Sequence, residues 1–165
     1  MKNLVLLFVL MMGTAYSEVC LEGRSTTTDL LGNVVNQEVC YVNVKNGLGS
    51  SIPKGNAVIL KAGVEDGFTV TTSVVAGVVP HCIMLEVCAD AKVCKCQTYG
   101  YADYVDFDAT DAVASDGGLI FISESNAGLV QAEIPASIAA SDAPLGVFLE
   151  TASASGEIKA FIKLR

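Results

Sequence analysis

Short runs of β-forming residues, separated by glycine-containing turns, recur along this chain from residue 52 to its end. They follow one another at intervals of roughly 8–12 residues, which is the spacing of strands in sandwiches and barrels. In the last run, alternate residues form an apolar set, Ile158, Ala160, Ile162 and Leu164. This two-residue period is typical of a strand with one buried face. Because no long helical period accompanies it, the sequence predicts an all-β fold, a compact β-sandwich or small barrel with an extended N-terminal arm.

The chain of 165 residues has a length that suits one domain with an appended arm. We expect residues 1–51 to form an N-terminal arm and an extended segment with turns at 23–29 and 43–51, and residues 52–165 to form the β-rich domain. Within that domain, residues 52–79 and 114–148 share an order of elements. Each has a turn glycine, an apolar strand, a glycine turn, a short strand and a Gly-Val strand. This order predicts a weak internal duplication.

The first 17 residues allow two interpretations. Lys2, an apolar run over 4–12 and the small-residue site at 15–17 together resemble a secretory signal peptide. The apolar run is too short to cross a membrane as a helix. If the segment is retained, so apolar an arm must be buried beneath the domain or against a neighbouring subunit. We expect the retained arm, with a cleaved signal peptide as the alternative.

Charge and hydropathy limit the classes of partner. The net charge is −8, and no run of lysine and arginine occurs, so direct binding of nucleic acid is not expected. The chain is 52% hydrophobic and only 17% charged. A chain with so few charges often has part of its surface covered by partner subunits, because large exposed apolar patches are rare on monomers. We therefore expect a homo-oligomer that has no membrane partner.

Cysteines and the single histidine supply the first candidate site. The runs 81–87 and 93–99 predict a hairpin that turns at 89–92, and it carries His81, Cys82, Cys88, Cys94 and Cys96. We expect its cysteines to be buried or free thiols. The alternatives are hairpin disulfides, such as Cys88 to Cys94, and a zinc site, although the spacing differs from the usual Cys-x2-Cys pairs. A Cys-His nucleophile is disfavoured because His81 and Cys82 point to opposite faces of a strand.

Carboxylates and tyrosines supply two further candidate groups. The carboxylates are Asp103, Asp106, Asp108 and Asp111. They lack the spacing of a calcium loop, so a solvated acidic rim is the preferred interpretation. The tyrosines are Tyr99, Tyr101 and Tyr104, which are expected to pack across strands or to contact another subunit. None of the common nucleotide-binding, hydrolase or metalloprotease motifs is present. The sequence therefore predicts no catalytic, cofactor or metal site, and no enzymatic activity.

The order of motifs over about two thirds of the chain resembles the head decoration, or capsid cement, proteins of tailed bacteriophages. The entry strand over residues 52–59, which reads IPKGNAVI, matches their Gly-Asp/Asn-x-Val pattern. The other matching segments are residues 76–79, 97–100, 114–117, 144–150, Gly156 and residues 158–164. The cysteine hairpin and residues 1–50 lie outside the resemblance. The resemblance implies a β domain that clusters, often as trimers, on the outer surface of an icosahedral head.

Three functions follow as hypotheses. The first, implied by the resemblance, is a virion structural protein that binds the major capsid protein and bridges capsid subunits. The second is a secreted or periplasmic β-sandwich that serves in binding or adhesion. The third is a metal-dependent enzyme that uses the Cys/His hairpin. For the virion hypothesis, the candidate contact with an acidic neighbour is the outward face of the closing strand, formed by Lys159, Phe161, Lys163 and Arg165. Its three basic residues make it the densest positive cluster of the chain.

Overall fold

A computed structural model describes residues 19–28, 34–72, 80–110, 112–132 and 144–164, with residues 21–28 and 34–37 described by their backbone alone. Several predicted features lie outside the described residues. They are the arm over 1–17, the Gly-Val strand over 76–79, Asp111 and Arg165.

The described residues form ten strands and no helix, so the all-β prediction is confirmed. The strands are β1 (Val19–Thr28), β2 (Val34–Asn46), β3 (Ala57–Leu60), β4 (Thr69–Thr71), β5 (Cys82–Met84), β6 (Val93–Phe107), β7 (Leu119–Ile122), β8 (Val130–Ala132), β9 (Gly146–Phe148) and β10 (Gly156–Lys163). The predicted hairpin is present, because β5 pairs with β6 in antiparallel fashion.

Strand pairing closes the sheet into two five-stranded barrels that share β6. Barrel 1 has the order β2–β4–β3–β5–β6, and β6 pairs back to β2. Barrel 2 has the order β6–β10–β9–β7–β8, and β8 returns to β6 through the parallel pair Phe107↔Val130. Among the described strands, each barrel has one parallel pair, β2 with β4 in barrel 1 and β6 with β8 in barrel 2. In both barrels this pair joins the first and the third strand in chain order. Closure leaves no free edge within a barrel.

The two barrels have the same topology down to individual contacts. An isolated bridge joins Ile52 to Cys88 in barrel 1, and another joins Ala114 to Ala152 in barrel 2. By position in its barrel, β9 corresponds to β5. The sequence pattern had instead matched β9 to residues 77–79, which lie outside the described residues. The duplication and the division at residues 51 and 52 both stay predictions.

The interiors of the barrels differ in the size of their side chains. Barrel 2 contains the larger ones, including Phe107 and Phe148, whose rings meet edge to face at 5.4 Å. The buried cluster of barrel 1 consists of Val42, Val44, Ile52, Val58, Val70, Met84 and four cysteines. Smaller side chains bury less apolar surface and so contribute less to stability.

Disulfides cross-link barrel 1, so the expectation of free thiols was wrong. Within barrel 1, Cys82 is bonded to Cys96 and Cys88 to Cys94. The third disulfide, Cys20 to Cys40, joins β1 to β2, so all six cysteines are bonded. The alternative of a Cys88–Cys94 bond is confirmed. At the positions of barrel 2 that correspond to Cys82 and Cys96, the chain has Gly146 and Ala160. Covalent bonds therefore occur in the barrel with the smaller core.

Strands β1 and β2 extend away from barrel 1 as a two-stranded ribbon. From Val34 to Val39, β2 pairs with β1 alone, and the pairing with β6 begins at Cys40↔Tyr99. The predicted turn at 23–29 was wrong, because β1 continues to Thr28 with one irregularity between Leu21 and Ser25.

A glycine lets the ribbon approach β6. Gly100 has a φ of 101°, and a Cβ at this position would collide with the carbonyl oxygen of Glu38 in β2. Gly100 lies within β6, beyond the predicted run over 93–99, and its backbone conformation permits one continuous strand that serves both barrels.

Candidate functional surfaces

The Cys/His hairpin has no thiolate to offer a metal or a substrate, because its four cysteines are in disulfides. His81 is half-buried, and this burial lowers the pKa of its imidazole below the ordinary value. Among the described residues, one group of potential ligand atoms is close enough to hold a metal ion. It comes from Cys20, Glu38 and Cys40. Two of its members are joined in a disulfide, which lacks the deprotonated sulfur that metal binding requires. The hairpin cysteines are therefore unavailable as the thiolate ligands of a zinc ion.

The predicted acidic rim is not one structure. Asp103 is exposed, Asp106 is half-buried, and Asp108 is 1% exposed, so for Asp108 the prediction of a solvated position was wrong. Burial by itself would raise the pKa of Asp108. Hydrogen bonds from the side chains of Ser123, Thr110 and Asn126 outweigh burial and hold this pKa well below its usual range. Asp108 is a structural anchor for the loop that follows β7.

Asp106 lies in the opposite electrostatic situation. Burial raises the pKa of its carboxyl, and the neighbouring Glu157 raises it further. Glu157 is the direct cross-strand partner of Asp106, so two like charges face each other between β10 and β6. The Asn56 amide donates a hydrogen bond of 2.7 Å to the Asp106 carboxylate, and this contact lowers the pKa of Asp106 and so offsets part of the rise.

A groove of about 370 Å³ lies where β6 leaves barrel 1, and three tyrosines belong to its lining. The residues that form this tyrosine groove are Val39, Tyr41, Lys54, Met84, Leu85, Lys95, Gln97, Tyr101, Ala102, Asp103 and Tyr104. The ammonium of Lys54 lies 4.5 Å from the ring centre of Tyr104, and that of Lys95 lies 5.0 Å from the ring centre of Tyr41. Such contacts hold a lysine over the electron-rich ring face.

The sequence identified only part of this groove. Tyr101, Asp103 and Tyr104 were singled out, whereas Tyr41, Lys54 and Lys95 were not. The missed residues come from β2, from the turn before β3 and from the other end of β6. No local pattern brings these three segments together. The third predicted tyrosine, Tyr99, instead packs edge to face on Phe161, with the ring centres 5.3 Å apart.

The closing strand has the predicted two faces. Ile158, Ala160 and Ile162 are buried, and Lys159 and Lys163 are exposed. Lys159 forms an ion pair of 3.9 Å with Glu150, the one ion pair among the residues that the structure describes. Exposed pairs of this kind contribute at most about 1 kcal/mol, so Lys159 is free to exchange this partner for another.

No described segment forms a helix that is long and apolar enough to span a membrane.

Comparison with known proteins gives a likeness of fold. No family model matches the chain, and no curated protein matches it. Among solved structures, the N base of the head fibre protein gp8.5 of bacteriophage phi29 matches 75% of this chain and 95% of its own, with a TM-score of 0.51 and 10% identity. The fold is similar to that of a phage head-fibre base. The head-fibre base is a phage head protein, so this likeness agrees with the resemblance in the sequence, and at this identity it concerns the fold alone.

Proposed function

We propose that this chain is a virion structural protein without enzymatic activity, which binds the outer surface of an icosahedral phage head and stabilises it by bridging capsid subunits. The observation that carries the proposal is the match to almost the whole head-fibre base. It agrees with the order of sequence motifs that resembles head decoration proteins.

The architecture supports a protein that must persist on a particle surface. Closed barrels lack the open strand edges that lead to aggregation, and β1 is the one described strand with a single neighbour. Three disulfides are suited to an exposed position outside a reducing cytosol. The low charge content suits a surface that is partly covered by neighbours.

The proposed partners are the major capsid protein and further copies of this chain, with a trimer as the favoured oligomer. Lys159 and Lys163 on the exposed face of β10 are the proposed contact with an acidic capsid surface. They carry positive charge on a chain whose net charge is −8, so they attract rather than repel an acidic neighbour.

The test is co-purification with DNA-filled particles. We expect the protein in a fixed stoichiometric ratio to the major capsid protein after gradient purification, and accessible to antibody on intact particles. Particles depleted of the protein should release DNA at a lower temperature and recover when it is added back. Absence of the protein from purified particles would contradict the proposal.

The disulfides also favour a second candidate, a secreted or periplasmic binding or adhesion domain, because such bonds form in oxidising compartments. The mass of the mature protein separates the two candidates. Loss of residues 1–17 supports the secreted domain and contradicts the virion protein, whereas their retention does the reverse.

A further inference from the structure

Two lysines in equivalent positions of the two barrels behave differently. In barrel 2, the backbone N–H of Lys159 donates to Glu150, and the Lys159 ammonium pairs with the same carboxylate. In barrel 1, the backbone N–H of Lys95 donates to Glu86 in the same way, at 3.0 Å. The Lys95 ammonium, however, lies over the ring of Tyr41 and lines the tyrosine groove. The groove thus contains the Lys95 cation, whereas the corresponding cation of barrel 2, Lys159, is neutralised by the Glu150 carboxylate.

Lys54 contributes a second cation to the groove. Its ammonium lies over Tyr104, and the backbone of Gly55 approaches that ring so closely that a Cβ on Gly55 would lie 2.5 Å from a ring carbon. Among the residues with described side chains, neither Lys54 nor Lys95 has a carboxylate within ion-pair distance. Both ammonium groups therefore retain hydrogen-bond donors for a ligand.

Tyr101 and Asp103 complete the set of groups. Burial, together with the hydrogen bond to Asp103, raises the pKa of Tyr101 to about 12. The phenol therefore stays protonated and donates to the Asp103 carboxylate, which keeps other lone pairs free as acceptors. In the described part of the chain, neither a lysine nor a second aromatic ring stacks on Tyr101.

We propose that the tyrosine groove binds a short saccharide. A sugar ring has an apolar C–H face that stacks on an aromatic ring such as Tyr101, and hydroxyls that both donate and accept hydrogen bonds. Lys54 and Lys95 are the donors to those hydroxyls, and Asp103 is the acceptor. The groove volume of about 370 Å³ has room for one or two sugar rings. This inference does not depend on a role in a capsid.

A peptide is a poorer match to the same groove. Recognition of an extended peptide by its backbone needs an open strand edge, and β5 and β6 are paired with each other beneath the groove through Met84↔Cys96. An acidic peptide would also meet the Asp103 carboxylate and a chain of net charge −8.

A glycan array tests the inference with the full-length protein. The array carries neutral, amino and acidic saccharides, with penta-glutamate spots on the same slide. We expect saturable binding to at least one saccharide, and titration calorimetry then gives its Kd. Binding to no saccharide, or to penta-glutamate alone, overturns the inference, and the second outcome indicates a protein partner instead.

Variants locate the binding. Tyr101→Ala and Asp103→Asn should each raise the Kd for the saccharide by roughly tenfold or more, as expected for loss of an aromatic or charged contact. Lys95→Ala should also raise this Kd. Lys159→Ala, the matched change outside the groove, should leave the Kd unaltered. Thermal unfolding verifies that each variant is folded. If Tyr101→Ala does not fold, the variants of the exposed residues Asp103 and Lys95 decide whether the saccharide binds in the groove. Unchanged saccharide binding by the folded variants overturns the assignment to this groove.

Discussion

The Asp108 carboxylate accepts a hydrogen bond of 2.6 Å from the Ser123 hydroxyl, and both side chains are shielded from solvent. This contact joins the end of β6 to the loop after β7. The corresponding end of β2 in barrel 1 carries Asn46, which is also 1% exposed and donates to the carbonyl oxygens of Ser50 and Cys88. Each barrel is thus secured by a buried polar side chain at the end of its first strand.

Replacing Asp108 by asparagine should destabilise the fold. Asp108→Asn keeps the shape of the side chain but removes the charge that Ser123, Thr110 and Asn126 all contact. We expect the free energy of unfolding to fall by about 2–3 kcal/mol, the range for hydrogen bonds to a buried charged group. Chemical denaturation measures it, with the exposed Asp116→Asn as control. Equal stability of the two variants would contradict the structural role.

Asp108 should also make stability depend on acid pH. Hydrogen bonding holds its pKa in the folded state below that of the unfolded chain. The stabilisation is therefore present above about pH 4, the ordinary aspartate value, and is lost as the pH falls towards the folded pKa. Unfolding measured between pH 5 and pH 2 should show a smaller slope for Asp108→Asn than for the wild type. Parallel slopes would assign the acid sensitivity to other groups.

Removing disulfides should weaken barrel 1 selectively. The double variant Cys82→Ala/Cys96→Ala opens a bond between residues 14 apart, and we expect a loss of about 2–4 kcal/mol. Cys88→Ala/Cys94→Ala opens one between residues 6 apart and should cost roughly 0.7 kcal/mol less by the loop-length dependence. Amide hydrogen exchange should increase in β3 and β5 more than in β7 and β9. An equal increase in both barrels would refute the selectivity.

Gly100 should tolerate no side chain. Gly100→Ala combines an unfavourable positive φ with a collision against the Glu38 carbonyl, so we expect a loss of about 2 kcal/mol or more. Gly117→Ala is the matched control, because its φ of 77° is also positive but its Cβ would meet open space. The control should lose only about 1 kcal/mol. Similar losses, measured by urea denaturation, would show that strain alone acts at Gly100.

Charge reversal on β10 should weaken capsid attachment. Lys159→Glu/Lys163→Glu replaces two exposed positive charges on the proposed contact face, and we expect at least a tenfold loss of binding to particles depleted of the protein. Lys95→Glu is the control and should bind particles as the wild type does. Saccharide binding should show the reverse pattern, being weakened by Lys95→Glu and unaltered by the double variant. The capsid proposal and the saccharide proposal can therefore fail independently. Unaltered attachment of the double variant would mean that this face is merely solvated.

Local patterns in the sequence predicted the elements whose evidence is local. The alternation at Ile158, Ala160 and Ile162 identified the buried face of β10, and the turn at residues 89–92 identified the β5–β6 hairpin. Gly100 was different, because a glycine between two strand-like runs is typical of a turn. Its positive φ instead permits close packing of β2, and only the position of β2 reveals that.

The sequence by itself determined the all-β class, the inward and outward faces of the closing strand, and an order of motifs typical of phage head proteins. Only the tertiary structure decided the cysteine pairs, the closure of two barrels through β6, the burial of Asp108 and the assembly of the tyrosine groove. The physical reason is that side-chain alternation specifies which face of a strand is buried but not which strand lies beside it. Tyr41, Lys54 and Lys95 meet only because the strands of barrel 1 close into a ring.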